Sequence, residues 1–429
     1  MNIETLKPEP VTEKKADKPL TDAALLALLT EAADEYRPKI RMSLEPKLVI
    51  KALSFVGGVI AGRTTLPVLN MIQCSGYDDR LAFTATDLDL TITATFNGAD
   101  RPGVCLLPKL ALLSAIKGSK GMVTIDEQKG YTFKITADGC SRTIPGMNPD
   151  EAVPEQRIKK VELSAKLSAA KFREALKIVE AAISTDASRY VLNGVYLNFT
   201  PNEVTIVTTD GRRLHLTSMM RLDPDKAWAD KIAAKNKCEH SFGVIVPTNT
   251  VKHLLKMPME KTDDLLVVEA SHCVFAKNGD TITCDQVSFS YGRFLLMSKK
   301  VDGNYPNYNQ VIPKDCKETV TVLANELATA INNVKSVLTK KSNMVKLTLS
   351  RHKLTVTASS PELGEDKAEI VTNYHGKDGC VIAFNHEYLL DVCASFKDGE
   401  LEFEYTDELS PGKFVCGPAF AVVMPMRLS

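Results

Sequence analysis

The chain has 429 residues, 44% apolar and 25% charged, which is typical of a soluble globular protein of two to four domains and excludes collagen-like or disordered classes. Its 53 basic and 53 acidic residues balance, so bulk charge does not favour a nucleic-acid-binding protein. The apolar runs are too short to span a membrane, and residues 1–19 lack the apolar segment of a secretory signal. The ten cysteines include no CxxC pair, so we expect free thiols, no zinc site and a cytoplasmic protein.

Residues 1–41 form a predicted N-terminal extension. Residues 1–19 combine proline with mixed charge and show no periodicity, which is typical of an unstructured tail. Residues 21–36 begin with a Thr-Asp capping signal and have the apolar spacing of a short helix, which Arg37 and Pro38 end. This helix could dock on the body of the protein or on a partner, but a tethered tail is the favoured interpretation.

From residue 42 onward, one pattern of elements recurs three times. Each copy has a strand and an amphipathic helix, two alternating strands, and an apolar strand that leads into a second helix. The second helix follows Pro108, Pro247 and Asn385, which are 139 and 138 residues apart. This equal period predicts three domains, each an α+β unit with two helices on antiparallel sheets. The predicted domains, called the first, second and third repeats below, are 42–158, 159–313 and 314–429.

The six predicted helices carry an excess of positive charge. They span 46–63, 108–120, 168–183, 247–261, 324–341 and 385–397. Together their basic residues outnumber the acidic ones by 10, so the rest of the chain has a net charge of −10. If the helices share one face, that face suits contact with phosphate groups without reading of base sequence. The alternative is a set of ordinary solvated helices, which often carry lysine.

Two segments resemble catalytic motifs. Residues 57–64, GGVIAGRT, approach a phosphate-binding loop, but that loop needs a preceding strand and a Lys in place of Arg63, so we expect the glycines to end a helix. Asp87 and Asp89 are predicted on one face of a strand, where paired carboxylates could bind metal or transfer protons. No third ligand follows nearby, so solvated strand ends are favoured and we expect no catalytic residue, metal or cofactor.

The C-terminal strand is predicted to meet a partner. It ends in Val422, Val423, Met424, Pro425 and Met426. Methionine side chains adapt to several partners, so this segment is a candidate binding surface. A terminal core strand is the alternative, and the two interpretations are compatible.

Seven segments carry a family resemblance: GRTTLPVLNMI (62–72), FTATDLDLTI (83–92), SRYVLNGVYLNF (188–199), VTTDGRRLHL (207–216), VDGNYPNYNQVIP (301–313), AFNHEYLLDV (383–392) and VVMPMRL (422–428). Over about residues 42–428 the chain resembles the bacterial replicative sliding clamp, the beta subunit of DNA polymerase III. The resemblance implies a DNA-clamp fold in a head-to-tail homodimer, a ring of six domains with helices lining the lumen and sheets forming the outer wall.

The resemblance also implies three sets of functional residues. A partner-peptide groove between the second and third domains would comprise Leu192, Thr209, Gly211, Arg212, Arg213, Leu214, Pro306, Val311, Val422, Val423, Met424, Pro425, Met426 and Arg427. For DNA, the resemblance implies contact only at Arg63, which matches a family position; the charge count of the helices adds Lys47, Lys51, Lys117, Lys120, Lys171, Arg173, Lys252 and Lys335 as further expected contacts. The dimer interface would include Val337 and Leu338. Arg212 stands where the family often has His, and Asn309 and Gln310 stand where it commonly has basic residues, which affects peptide preference and rim charge.

The implied function is that of a DNA polymerase processivity factor without catalytic activity. Its expected partners are duplex DNA of any sequence, a replicative DNA polymerase, an ATP-dependent clamp loader, other proteins with a clamp-binding motif and a second copy of the chain, but no membrane. One alternative is a clamp paralogue or decoy that does not load on DNA. Another is an enzyme, which only the Asp87 and Asp89 pair supports. The segment 221–241 is longer than expected for the family, and the sequence predicts no role for it.

Overall fold

The computed structural model describes residues 39–428 apart from 61–63, 79, 98, 155–156, 226–240, 259–263, 278–279, 340–341 and 377. The predicted helix at 21–36, Arg63 and most of the segment 221–241 therefore lie outside the described residues. Within the described ranges, no helix is both long enough and apolar enough to cross a membrane.

Six α-helices lie in the described residues, two in each repeat. They are α1 (Pro46–Val56), α2 (Lys109–Ile116), α3 (Ala169–Val179), α4 (Thr248–Lys256), α5 (Ala324–Val334) and α6 (His386–Ser395). Pro108, Pro247 and Asn385 are the N-caps of α2, α4 and α6, which are the helix starts that the equal period predicted. Local signals are sufficient here, because the ring of Pro108 and Pro247 fixes φ near the values seen at these caps, −61° and −59°, and the Asn385 side chain accepts the Glu387 N–H at 2.9 Å.

The helices end earlier than the sequence predicted. Gly57 caps α1 at Val56, and a 3-10 turn follows at Gly57–Val59, so the helix does not reach residue 63. The first helices of the other two repeats end in the same way, in 3-10 turns at Glu180–Ala182 and Lys335–Val337. Residues 57–60 of the GGVIAGRT segment therefore form a helix end, as the sequence predicted.

The strands follow the same threefold pattern. The first repeat contains β1 (Arg41–Leu44), β2 (Met71–Tyr77), β3 (Arg80–Thr86), β4 (Leu90–Asn97), β5 (Ala99–Arg101), β6 (Gly103–Pro108), β7 (Val123–Glu127), β8 (Thr132–Ala137) and β9 (Cys140–Pro145). The second contains β10 (Arg157–Ser168), β11 (Gly194–Phe199), β12 (Glu203–Thr209), β13 (Arg213–Met220), β14 (Phe242–Pro247), β15 (Leu265–Lys277), β16 (Asp280–Tyr291) and β17 (Phe294–Lys299). The third contains β18 (Glu318–Leu323), β19 (Met344–Ser350), β20 (Lys353–Ser360), β21 (Gly364–Val371), β22 (Cys380–Asn385), β23 (Glu400–Tyr405), β24 (Gly412–Cys416) and β25 (Ala419–Val423).

The strands form four antiparallel sheets, two of which are shared between repeats. The unshared sheets have the strand orders β5-β1-β7-β8-β9 in the first repeat and β21-β20-β19-β22 in the third. The shared sheets have the orders β10-β15-β16-β17-β4-β3-β2-β6 and β14-β11-β12-β13-β25-β24-β23-β18. Pairing of β17 with β4, and of β25 with β13, therefore joins the three repeats into one wall.

The apolar core lies between this wall and the helices. Along β4, Leu90, Ile92 and Ala94 are buried, whereas Thr91 and Thr93 lie on the other face and are half-buried. This alternation follows from the two-residue repeat of a strand. One core is continuous through the first two repeats, and a second fills the third repeat.

The helices form a continuous row on one side of the wall. Each repeat packs its two helices together, and α3 also contacts α6 across the second junction. Within the first repeat, a Cβ atom on Gly57 would lie 3.0 Å from Cδ of Lys109 in α2. Across the first junction, a Cβ atom on Gly58 would lie 3.4 Å from Cε1 of His253 in α4. Both glycines thus permit close helix contact. The spatial order is α2, α1, α4, α3, α6, α5, so α2 and α5 are its two ends.

One sequence expectation about the acidic pair was wrong. Asp87 and Asp89 lie in the turn between β3 and β4 and not on one face of a strand. Asp87 Oδ2 accepts a hydrogen bond from Asn249 at 3.1 Å, and Asp89 forms an ion pair with Lys299 at 2.8 Å. The turn forms because Asp87 Oδ1 accepts two main-chain N–H groups that follow it, and this local bond competes with strand pairing. Both carboxylates therefore connect the first two repeats.

Candidate functional site

Pairing of β13 with β25 brings the predicted groove residues together at the second junction. Leu214 lies opposite Val422, and Arg213 lies opposite Val423. Cross-strand partners point to the same face of a sheet, and neighbours along a strand point to opposite faces. Leu214 and Val422 therefore belong to a small outer cluster, whereas Val423 lies in the core of the third repeat on the helix side. The predicted set is thus divided between two faces.

The residues after β25 are held by main-chain hydrogen bonds on both sides of the junction. The Met424 N–H donates to the Arg212 carbonyl at 2.9 Å, and the Met426 N–H donates to the Ala383 carbonyl at 2.7 Å. The first bond reaches the second repeat and the second reaches β22 of the third repeat. The C-terminal segment is therefore positioned as a bridge between the two repeats.

A tight turn positions the residues of the groove that precede β13. Asp210 Oδ1 accepts the N–H groups of Arg212 at 2.9 Å and Arg213 at 3.0 Å. Thr209 Oγ1 accepts the Gly211 N–H at 3.1 Å and donates to the Arg213 carbonyl at 2.6 Å. Gly211 has φ +85°, where a residue with a Cβ atom is strained. The TDGRR sequence thus encodes the turn itself.

The floor of the groove is closed in the unbound chain. Leu192, Leu214 and Val422 are 6%, 2% and 2% exposed. Met424 and Val311 at the rim are 44% and 49% exposed. An entering apolar side chain must therefore displace rim side chains before it reaches the floor.

Three tyrosines that the sequence analysis did not select cover that floor. The Tyr196 ring on β11 stacks on the Tyr305 ring at 4.6 Å with an interplanar angle of 1°, and Tyr308 meets Tyr196 edge-on at 6.2 Å. They pack against the Leu214 and Val422 cluster. Burial raises the pKa of Tyr305 and of Tyr308, so both hydroxyls stay protonated. The sequence signal that could have indicated this cover is the presence of two tyrosines, Tyr305 and Tyr308, in the proline-containing linker 301–313.

Arg213 connects the two repeats on the helix side. Its guanidinium bonds to Asp210 Oδ2 at 3.0 Å, Asp391 Oδ2 at 2.5 Å and the Ala181 carbonyl at 2.6 Å, and it lies 4.4 Å from the Tyr388 ring centre. The side chain is only 11% exposed. Charge-assisted bonds of this kind hold geometry firmly. We therefore assign Arg213 to the junction and expect little of its guanidinium to be free for a peptide.

The remaining predicted groove residues lie around the rim. Pro306 and Arg427 are exposed, while Pro425 and Met426 are half-buried. Gly211 packs against Arg189, since a Cβ atom on it would lie 2.7 Å from Arg189 Nη1. Asn309 and Gln310 are exposed in a 3-10 turn, so the rim has no positive charge at those two positions.

Most predicted DNA-contacting residues lie exposed on or beside the helices. Lys47, Lys51, Lys171 and Lys252 are exposed on α1, α3 and α4, and Lys117, Lys120 and Lys335 are exposed just beyond α2 and α5. Arg173 differs, because its half-buried guanidinium donates to the Met257 carbonyl.

The helices of the third repeat are acidic within their observed bounds. α5 carries Glu326, and α6 carries Glu387 and Asp391. The earlier helix ends explain the difference from the sequence count, because Lys335 lies beyond α5 and Lys397 beyond α6. Positive charge is therefore concentrated on the helices of the first two repeats.

The wall ends in two edge strands that correspond to strands paired elsewhere. At each junction, the last strand of one repeat pairs with the fourth strand of the repeat before it. β17 pairs with β4 at the first junction, and β25 pairs with β13 at the second. The remaining strands of these two types are β9 and β21, which are edge strands in the sheets that the described residues form. The two ends of the chain are therefore complementary in type.

Both ends expose apolar side chains. Leu110 on α2 is 78% exposed, and it shares a helix face with Ser114, whose hydroxyl accepts a bond from Arg142 of β9 at 2.9 Å. Val371 at the end of β21 is 88% exposed. Ser336, in the turn after α5, donates to Asp366 of β21 at 2.6 Å.

The two predicted interface residues follow α5 in the third repeat. Val337 is only 6% exposed and lies in the core of that repeat, while Leu338 packs partly against the same core. Substitution of Val337 would therefore disturb folding as well as any interface. The exposed edge of β21 offers cleaner test positions.

His215 on β13 is a buried titratable group at the second junction. Its Nδ1 lies 2.9 Å from the Ile178 carbonyl of α3. Burial lowers the pKa of His215 to about 4, and Arg213 nearby adds to the effect. The imidazole is therefore neutral at physiological pH, with Nδ1–H as the donor. No group of three or more metal-ligating residues was found among the described residues.

Comparison with known proteins agrees with this geometry. Family models for the N-terminal, central and C-terminal domains of the DNA polymerase III beta subunit match residues 40–151, 166–307 and 309–427. The beta sliding clamp of Caulobacter vibrioides is 30% identical over 403 residues, which cover 91% of this chain and 100% of the relative.

Two solved structures have the same architecture over 91% of this chain and 100% of theirs. The DNA polymerase sliding clamp from Caulobacter crescentus has a TM-score of 0.74 at 27% identity. The sliding clamp from Pseudomonas aeruginosa bound to griselimycin has a TM-score of 0.78 at 24% identity. The fold is therefore that of the DNA clamps. Within that class, the chain belongs to the family of DNA polymerase III beta subunits, the bacterial beta sliding clamps.

Proposed function

We propose that two copies of the chain close head to tail into a ring of six domains around duplex DNA, and that the ring tethers a replicative polymerase and other clamp-binding proteins. The relatives named beta sliding clamps support the role of a processivity factor. The chain acts without catalysis in the cytoplasm, where bacterial DNA is copied.

The observation that carries the ring is the complementarity of the two chain ends. β9 and β21 are the edge strands of the two types that pair at both internal junctions. α2 and α5 likewise end the helix row. A head-to-tail contact closes into a ring when the rotation completes a circle, and otherwise gives an open filament. Three similar domains in each chain favour a circle of two chains.

The helix side of the wall faces the DNA in this proposal. Lys47, Lys51, Lys171 and Lys252 present positive charge to phosphate groups, and they carry no sequence information. The ring need not bind tightly, because a closed ring around a duplex is retained by topology. Modest charge leaves water and counterions in the gap, so the ring can slide.

The groove at the second junction binds a short peptide of each partner. A peptide with one Gln followed by two or three apolar residues would place its apolar side chains on the Leu214 and Val422 floor once Met424 and the covering tyrosines move. Its Gln would bond main-chain groups near Met424. A contact this small favours micromolar affinity, about −8 kcal/mol, and tethering then raises the effective concentration of polymerase at the primer end.

The experiment that tests the proposal is loading on circular DNA. The purified chain, an ATP-dependent clamp loader and nicked circular duplex are incubated, and the DNA is isolated at high salt. We expect the chain to remain on the circle and to be lost when one cut linearises the DNA. Absence of the chain from the circle under these conditions would favour the paralogue or decoy alternative.

A further inference from the structure

The first junction repeats the construction of the second. Lys299, the last residue of β17, donates its N–H to the Asp89 carbonyl at 2.8 Å, as Met424 does to Arg212 at 2.9 Å. The next matching pair of bonds joins Val301 to Ile245 at 3.0 Å and Met426 to Ala383 at 2.7 Å. Each junction thus holds the residues after its pairing strand in the same way.

The turns that precede the pairing strands also match. Asp87 Oδ1 accepts the N–H groups two and three residues later at 3.0 and 2.7 Å, as Asp210 does at 2.9 and 3.0 Å. The residue after each aspartate has positive φ, +77° at Leu88 and +85° at Gly211. The groove frame is therefore present twice in each chain.

The two floors differ in polarity. By strand register, the first junction has Thr84, Thr91 and Thr93 where the second has Val207, Leu214 and Leu216. The threonine hydroxyls bond one another, since Thr84 and Thr93 are 3.0 Å apart and Thr91 donates to Thr86 at 2.9 Å. An apolar side chain placed on this floor would strip water from the hydroxyls and gain less apolar contact from the floor than Val207, Leu214 and Leu216 offer.

The rims differ as well. Lys299 occupies the rim position of the first junction that Met424 occupies in the second. Its ammonium forms an ion pair with Asp89 at 2.8 Å, whereas Met424 gives the second junction an apolar rim. A cavity of about 220 Å³ remains over the threonine floor, bounded by Val153, Pro154 and Met297. The first junction thus keeps an open groove with apolar side walls, but its strand floor presents threonine hydroxyls where the second junction presents Val and Leu.

We infer that four residues, Thr84, Thr91, Thr93 and Lys299, exclude apolar partner peptides from the first junction, and that replacing them with their counterparts creates a second peptide site on each chain. This inference rests on the proposed peptide binding at the second junction. It identifies polarity at four equivalent positions, and not backbone geometry, as the determinant of which junction binds.

The test is calorimetric titration with a synthetic hexapeptide that contains Gln-Leu-Leu-Phe. We expect one peptide per unmodified chain and two per chain for the variant Thr84→Val, Thr91→Leu, Thr93→Leu, Lys299→Met. Adding Met424→Lys and Leu214→Thr to that variant should remove the second-junction site and return one peptide per chain, bound within about tenfold of the original affinity. Circular dichroism checks that each variant is folded.

Each outcome bears on a separate claim. Two peptides per unmodified chain, or one per folded four-residue variant, would overturn the inference while leaving peptide binding intact. No binding to the unmodified chain would instead refute the proposed groove. If the four-residue variant does not fold, Leu214→Thr with Leu216→Thr decides: at least a tenfold loss of affinity supports the role of floor polarity, and unchanged affinity overturns it.

Discussion

Charged substitutions at the two exposed ends are predicted to dissociate the ring into folded monomers. The variant is Leu110→Glu with Val371→Glu. Both side chains are mostly exposed in the single chain, at 78% and 88%, so folding of the monomer does not depend on burying them. Both lie beside the edge elements that the proposed contact would cover.

The size of the effect follows from burial and symmetry. Full burial of a Leu or Val side chain contributes about 1.5–3 kcal/mol. A ring of two chains has two contacts, each with one copy of both residues, so the variant loses four buried side chains, or about 6–12 kcal/mol. The dissociation constant should rise about ten-thousandfold or more. Burial of four carboxylates increases the effect further.

Light scattering at about one micromolar measures the outcome. The unmodified chain should have a mass of about 94 kDa, twice the 47.0 kDa of the chain, and the variant about 47 kDa. Leu409→Glu is the matched control, because Leu409 is 72% exposed in the turn between β23 and β24 and belongs to neither edge strand. A variant that keeps a mass of about 94 kDa, with unchanged circular dichroism, would refute the assignment of these edges.

Three further predictions concern the DNA side, the groove and the buried histidine. Lys47→Glu with Lys51→Glu should weaken binding to linear duplexes equally for unrelated sequences, and in filter binding it should lower the slope of log affinity against log salt by about 2 for each chain whose two lysines contact DNA. Lys129→Glu in the exposed β7–β8 turn should leave the slope unchanged, and discrimination between equal-length duplexes would count against the helix surface. Deletion of residues 424–429 should abolish peptide binding in calorimetry while light scattering still gives the dimer mass, and unchanged binding would remove the groove assignment. His215 stays neutral in the folded chain down to about pH 4, whereas in the unfolded chain it gains a proton below about pH 6.5. The free energy of unfolding should therefore fall by about 3 kcal/mol between pH 6.5 and 4, relative to the His215→Gln variant. Equal pH dependence of the two proteins in urea unfolding would contradict this.

The repeat organisation could be predicted from the sequence because its signals are local. Pro108, Pro247 and Asn385 begin helices through their own backbone preferences, and each apolar stripe follows within ten residues. The family resemblance indicated which residues form the outer groove, but it did not indicate which face of the sheet each side chain points to. Glycines at 57 and 58 were correctly taken as a helix end, although their close contacts with Lys109 and His253 were not predictable from one segment.

Other features depended on residues that are distant in the chain. Alternation along VTTDGRRLHL shows that Arg213 and Leu214 point to opposite faces, but only pairing with β25, some 200 residues later, decides which face is the groove. Local bonds to Asp87 form the turn that holds Asp87 and Asp89, but their partners Asn249 and Lys299 belong to the second repeat and could not be predicted from this segment.

The three repeats, the helix starts and the family resemblance could all be predicted from the amino-acid sequence, because capping, periodicity and motif spacing act over a few residues or recur at a fixed interval. The pairing of the strands, the position of β9 and β21 at sheet edges and the burial of Val337 emerged only from the folded chain. Sheet hydrogen bonds and burial depend on partners far apart in sequence, and a strand carries no local signal that identifies its partner.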